Sequence, residues 1–167
     1  MSEDALPSLL GGFRLEARLD VPAGGAEGVL CAIGDWNNGW ACYLLDGRPV
    51  VAFSLLGASC RVAAPAPLAP GPRVLTVEYE RARPRGGALR VAIDGVVVAD
   101  GQLPDNLPFR WQIGGAGMLV GRDRGLPVSD DYEPPFACTA RLDSVVLDGG
   151  ASRPVETANV GAALRHE

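Results

Sequence analysis

The chain has 167 residues, 47% of them hydrophobic and 21% charged, with a formal net charge of −5. That length suits one domain burying roughly 70% of its unfolded surface around a single core. The negative balance argues against the broad basic footprint of a nucleic-acid binder, and no apolar run reaches the ~20 residues that a membrane-spanning helix needs.

The N-terminal MSEDALPSLLGG begins acidic and lacks the basic and long apolar regions of a secretory leader, so a cytoplasmic protein is expected. FRLEARLD (13–20) alternates throughout, with Phe13, Leu15, Ala17 and Leu19 on one side and Arg14, Glu16, Arg18 and Asp20 on the other. A period of two predicts a strand with one wet face. VPAGGAEG then turns the chain into a second strand, GVLCAIG. GWACYLLDGRPVVAFSLLG reads as a hairpin, because Asp46-Gly47 supplies the positive-φ pair that a tight turn needs between two apolar runs. APAPLAPGP (64–72) holds four prolines, which cannot donate to a ladder and so mark a connection.

RVLTVEYER follows as a strand with Leu75, Val77 and Tyr79 on one face and Thr76, Glu78 and Glu80 on the other. ALRVAIDGVVVADG repeats the hairpin device at Asp94-Gly95. After LPDNLPFRWQIGGAG come MLVGRD, a charged stretch, and the strand-like PFACTARLDSVVLDGG. The tail over 149–167 suits at most a short helix, in VETANVGAALRHE. Eight or more short strands between Gly, Pro and Asp turns, with no alternating helices, predict an all-β fold, an antiparallel two-sheet sandwich or jelly roll. We expect a single domain over 1–167 with its core at about 10–148.

The four cysteines, Cys31, Cys42, Cys60 and Cys138, have no C-x-x-C spacing, and the one histidine, His166, lies at the C-terminus. Zinc ligands in register are too few, and free thiols are expected.

The ordered series PAGGAEGVL, GWACYLLDGRPV, VEYE, LRVAIDG and GRDRGLPVSDDY, followed by PF and a last strand, resembles the C-terminal domain that follows the catalytic domain of bacterial arylsulfatases. The resemblance covers about residues 10–148. It implies a concanavalin A-like, lectin-type sandwich, laminin G-like in architecture, serving as a non-catalytic accessory or protein-interaction module. A sulfatase-type catalytic domain or another protein is the implied partner, and a homo-oligomer contact is compatible with it. Sulfatase chemistry is not expected of this chain. The family's catalytic cysteine sits in C-x-P/A-x-R, whereas Cys138-Thr139-Ala140-Arg141 is out of register by one residue, and the metal ligands are missing. The chain departs from the family pattern in RARPRGG (81–87) and at Trp36-Asn37-Asn38.

Four stretches carry residue types capable of function. In DWNNGW, Trp36 suits stacking on a sugar ring, with Asp35, Asn37 and Asn38 as hydrogen-bonding partners; this supports a carbohydrate-binding, lectin-like alternative. Trp40 in the same stretch is expected in the core, and Trp111 is undecided. Arg81, Arg83 and Arg85 gather within five residues and suit an anionic partner or a solvated connection. In GRDRGLPVSDDY, Asp123, Asp130 and Asp131 are oxygen donors for calcium, although Arg122 and Arg124 flank the first. The structural reading of that stretch is a charged corner, with Asp123 paired to a neighbouring arginine, Ser129 or Asp130 accepting backbone N–H groups, and Tyr132 closing it. Glu78 and Glu80 emerge on one strand face about 6.5–7 Å apart, near the spacing glycosidases use, which gives a third and weaker reading.

Overall fold

The computed structural model describes residues 6–56, 58–108 and 117–150. Ten strands build it: β1 (Gly12–Val21), β2 (Gly28–Gly34), β3 (Asn38–Leu45), β4 (Arg48–Leu55), β5 (Ala58–Ala63), β6 (Gly71–Arg81), β7 (Gly87–Ile93), β8 (Val96–Leu103), β9 (Leu119–Val120) and β10 (Arg141–Gly149). They form two five-stranded antiparallel sheets, ordered β10-β1-β6-β7-β8 and β5-β4-β3-β2-β9. The described residues contain no helix, so the all-β sandwich expected from the strand pattern is the fold. The possible helix in the tail, Trp111 and His166 lie outside the described residues.

The period-two pattern of β1 places Phe13, Leu15, Ala17 and Leu19 in the interior, where they meet Leu75, Val77 and Tyr79 from β6. The facing sheet contributes Leu30, Ile33, Trp40, Leu44, Val51 and Phe53 to the same core. Aromatic rings fill its centre: Phe13 stacks on Trp40 at 5.1 Å between centroids, and Trp40 on Phe53 at 6.1 Å. Such pairs add about 0.5–1.5 kcal/mol each beyond the area they bury. Trp40 is fully buried, and its Nε1–H has no hydrogen-bond partner among the described residues.

Both Asp-Gly turns have the left-handed backbone that their hairpins require, with φ of 50° and 74° at Asp46-Gly47 and 51° and 82° at Asp94-Gly95. Three segments differ from the sequence reading. ASCRVA forms β5, an additional edge strand. MLVGRD contributes only the two residues of β9. PFACTA lies outside a strand and touches β2 through one parallel bridge, Val29 to Ala137. All four cysteines are free thiols; Cys31 and Cys42 are buried, whereas Cys60 and Cys138 are partly exposed.

The outer faces of the sheets differ. On the β1 sheet, the pairing register sets Asp148, Arg14, Glu78, Arg90 and Asp100 in one row across five strands, with charge alternating at each step. On the β3 sheet, Val29, Ala32, Ala41, Tyr43, Val50 and Ala52 point outward and would meet water, but Val128 and Tyr132 cover them. The cover is the GRDRGLPVSDDY stretch, folded back over its own sheet.

Candidate functional site

The covering loop is tied down at each end by backbone hydrogen bonds. Gly121 N–H donates to Leu30 O (2.9 Å), Cys138 N–H to Gly121 O (2.8 Å) and Val29 N–H to Phe136 O (2.8 Å). At its centre Tyr132 is buried, tilted against Tyr43 at 5.0 Å and stacked on Phe136 at 5.3 Å. The Tyr132 hydroxyl donates to Asp123 Oδ2 at 2.5 Å, and the other carboxylate oxygen, Oδ1, accepts the backbone N–H of Arg124 at 2.7 Å. Asp123 is only 3% exposed, so these partners replace the water it gives up. The partner that Arg124 offers is thus its backbone, not its guanidinium. Burial first, and then the Asp123 carboxylate, push the Tyr132 phenol well above its ordinary value.

Asp131 performs the corresponding task at the far end of the loop. Its Oδ2 accepts Tyr43 O–H at 2.5 Å and Arg61 Nε–H at 2.7 Å, which joins the loop to β3 and to the edge strand β5. Desolvation raises the Asp131 carboxyl, but the hydrogen bonds from Tyr43 and Arg61 and the guanidinium charge outweigh it, leaving the group below its usual range. The Ser129 hydroxyl, 3.2 Å away, donates to the Tyr43 oxygen, and Ser129 Oγ accepts the Asp131 N–H at 3.3 Å. The three aspartates considered for calcium are therefore not assembled into a metal site. Asp123 and Asp131 spend oxygens on different tyrosines, and among the described residues no three His, Cys, Asp or Glu side chains form a group that could hold a metal ion.

Trp36 occupies the short β2–β3 turn with 56% of its surface exposed. The turn is locked from within: Asp35 Oδ1 accepts the N–H groups of Asn37 (2.9 Å) and Asn38 (3.2 Å), as a turn-forming aspartate does. Ser54 Oγ–H donates to the carbonyl of Trp36 and anchors the turn to β4. The indole thus stands on a fixed backbone at the rim of a groove of about 440 Å³, whose polar walls are Ser54, Ser59, Arg61, Ser129, Asp130 and Asp131.

The groove joins two stretches that lie far apart in the sequence, Trp36 and the Asp130-Asp131 pair, and adds Ser59 and Arg61 from β5. Asp35 instead lines a neighbouring 230 Å³ pocket with Asp123 and Arg124. The arginine connection lies elsewhere. Arg85 forms a two-point ion pair with Asp105 (2.8 and 2.5 Å), whose carboxyl is held below its usual range chiefly by that hydrogen bond. Arg83 is exposed, and Arg81 borders a 530 Å³ depression on the charged outer face of the β1 sheet. Glu78 and Glu80 share that depression, but Glu78 is paired with Arg14, and Glu80 lies 3.7 Å from Arg90.

No protein-family model and no curated protein matches the chain. Solved structures do match. Domains LG4-5 of the mouse laminin α1 chain align with a TM-score of 0.59 and 17% identity, over 86% of this chain and 38% of that one. The botulinum neurotoxin serotype G binding domain aligns with a TM-score of 0.57 and 10% identity, over 99% and 40%. Tailspike protein 2 of an Escherichia coli O157:H7 bacteriophage aligns with a TM-score of 0.54 and 16% identity, over 95% and 22%. The chain therefore has the laminin G-like, lectin-type sandwich, and it spans less than half the length of each of these proteins. At such identities the likeness extends to the fold alone, because the same sandwich hosts many roles.

Proposed function

We propose that the protein is a non-catalytic binding module that holds a glycan in the groove between Trp36 and Asp131. The observation that carries this reading is the exposed indole, held on a braced turn beside a concave wall of hydroxyl, carboxylate and guanidinium groups. An aromatic face supplies apolar contact to a sugar ring, while planar polar groups fix its hydroxyls at little conformational cost because they are already bonded to the scaffold. A glycan array tests the reading. Binding by the full chain that disappears in Trp36→Ala, at unchanged melting temperature, is expected; an array with no Trp36-dependent signal contradicts it.

A second reading, an accessory module docked on a sulfatase-type catalytic domain or another protein, is supported by the ordered landmarks shared with arylsulfatase C-terminal domains. Co-purification with a sulfatase encoded beside this chain tests it. The glycosidase reading of Glu78 and Glu80 is less well supported, because both carboxylates are solvent-facing and engaged by arginines, without the apolar shelter that separates a general acid from its partner.

A further inference from the structure

We infer that the Trp36 groove accepts the neutral, hydroxyl-rich part of a glycan and disfavours sulfated or uronic-acid sugars, with Asp130 setting that preference. This rests on the glycan-binding reading and adds the ligand's chemical class. The groove contains one cation and two anions, Arg61, Asp130 and Asp131. Arg61 spends its charge on Asp131 through the 2.7 Å Nε–Oδ2 contact, and among the described residues no cation pairs with the exposed Asp130, so the wall keeps that charge.

An incoming sulfate or carboxylate would thus meet net negative charge where a binding site for anions needs an open guanidinium fork. A neutral sugar meets complementary chemistry. The Asp131 carboxylate has lone pairs beyond those used by Tyr43 and Arg61, and Ser59 and Ser129 each combine a donor with acceptors, as sugar hydroxyls do. Among the described residues the charged outer face of the β1 sheet carries no exposed indole, so the discrimination is assigned to this groove.

The test measures binding of the full chain to immobilised neutral glucose and galactose oligosaccharides and to size-matched O-sulfated and uronic-acid counterparts. At about 10 mM salt the anionic sugars should bind more weakly by on the order of fivefold to tenfold. At about 1 M salt, where the screening length falls from ~30 Å to ~3 Å, the gap should close. Asp130→Asn should close it at low salt, with the melting temperature unchanged. A Trp36-dependent preference for sulfated or uronic-acid sugars overturns the neutral class while leaving the glycan site standing. A gap that Asp130→Asn does not alter overturns the inference that the charge of this wall sets the preference. Failure of all three sugar sets to bind in a Trp36-dependent way overturns both the class and the site.

Discussion

The two outer faces of this sandwich solve one problem in opposite ways. The β1 sheet presents rows of charge to water, with Arg14, Glu78 and Arg90 alternating across neighbouring strands. The β3 sheet presents Val29, Ala41, Tyr43 and Val50, and hides them beneath a loop that carries its own tyrosine. A face of the first kind depends on weak, screened ion pairs and adds little to stability. A face of the second kind acts as an additional core, and the polar groups it buries must be hydrogen-bonded one by one. The rim of such a cover is where a groove can form, and the Trp36 groove lies along that rim.

Alkaline pH should act most strongly on the inner core, which holds Cys31, and on the covered face, which holds Tyr43 and Tyr132, and not on the charged face. Burial pushes the Cys31 thiol up to about 12 from 9.0, and the Tyr43 and Tyr132 phenols also stand well above their ordinary values. Each group is held neutral in the folded state, so its contribution is complete below the unfolded value and is lost as pH rises through the folded one. Melting temperature should therefore fall from about pH 9 upward, the thiol contribution disappearing by about pH 12. A profile that stays flat to pH 12 would contradict this burial.

Mutations refine the contrast. Tyr132→Ala empties the centre of the cover and should cost about 3–5 kcal/mol in denaturant unfolding, with Val29, Ala41 and Tyr43 becoming accessible to an apolar dye. Asp123→Ala strands the Tyr132 hydroxyl and the Arg124 N–H and should cost about 1–3 kcal/mol. That loss should be the same with calcium or with chelator; dependence on calcium would show that the loop works as a metal site. On the charged face, Glu78→Gln should cost only ~0.2–1 kcal/mol, an effect that fades at high salt. If Glu78→Gln destabilises as much as Tyr132→Ala, the two faces are not different in kind.

Much of this contrast was legible in the sequence. FRLEARLD and RVLTVEYER alternate, so the wet face and the core face of β1 and β6 could be assigned residue by residue, and the two Asp-Gly pairs set the hairpins. The continuous apolar runs of GVLCAIG and GWACYLL carried a further signal, since strands covered on both faces lose their alternation. β5 was harder to see because ASCRVA is short and one-third polar, and its edge position leaves Ser59 and Arg61 exposed. PFACTA imitates a strand because its backbone is stitched to β2, yet Phe136 has a left-handed φ of 34° that breaks extended pairing.

The site was half visible. Trp36 stood out as an indole in a polar turn, and the Asp130-Asp131 pair as a charged corner. What joins them is Arg61, which lies 70 residues from Asp131 in sequence and reaches it only because the loop returns over the sheet. No local pattern encodes that return.

The most direct test of the account is an NMR titration of the full chain with a neutral oligosaccharide that binds on the array, following the Trp36 indole N–H, the Arg61 guanidinium and the arginines of the β1-sheet outer face. The account predicts saturable shifts at Trp36 and Arg61, with Arg14 and Arg90 unmoved. Shifts confined to Arg14 and Arg90, with Trp36 silent, would place the ligand on the opposite face and contradict it.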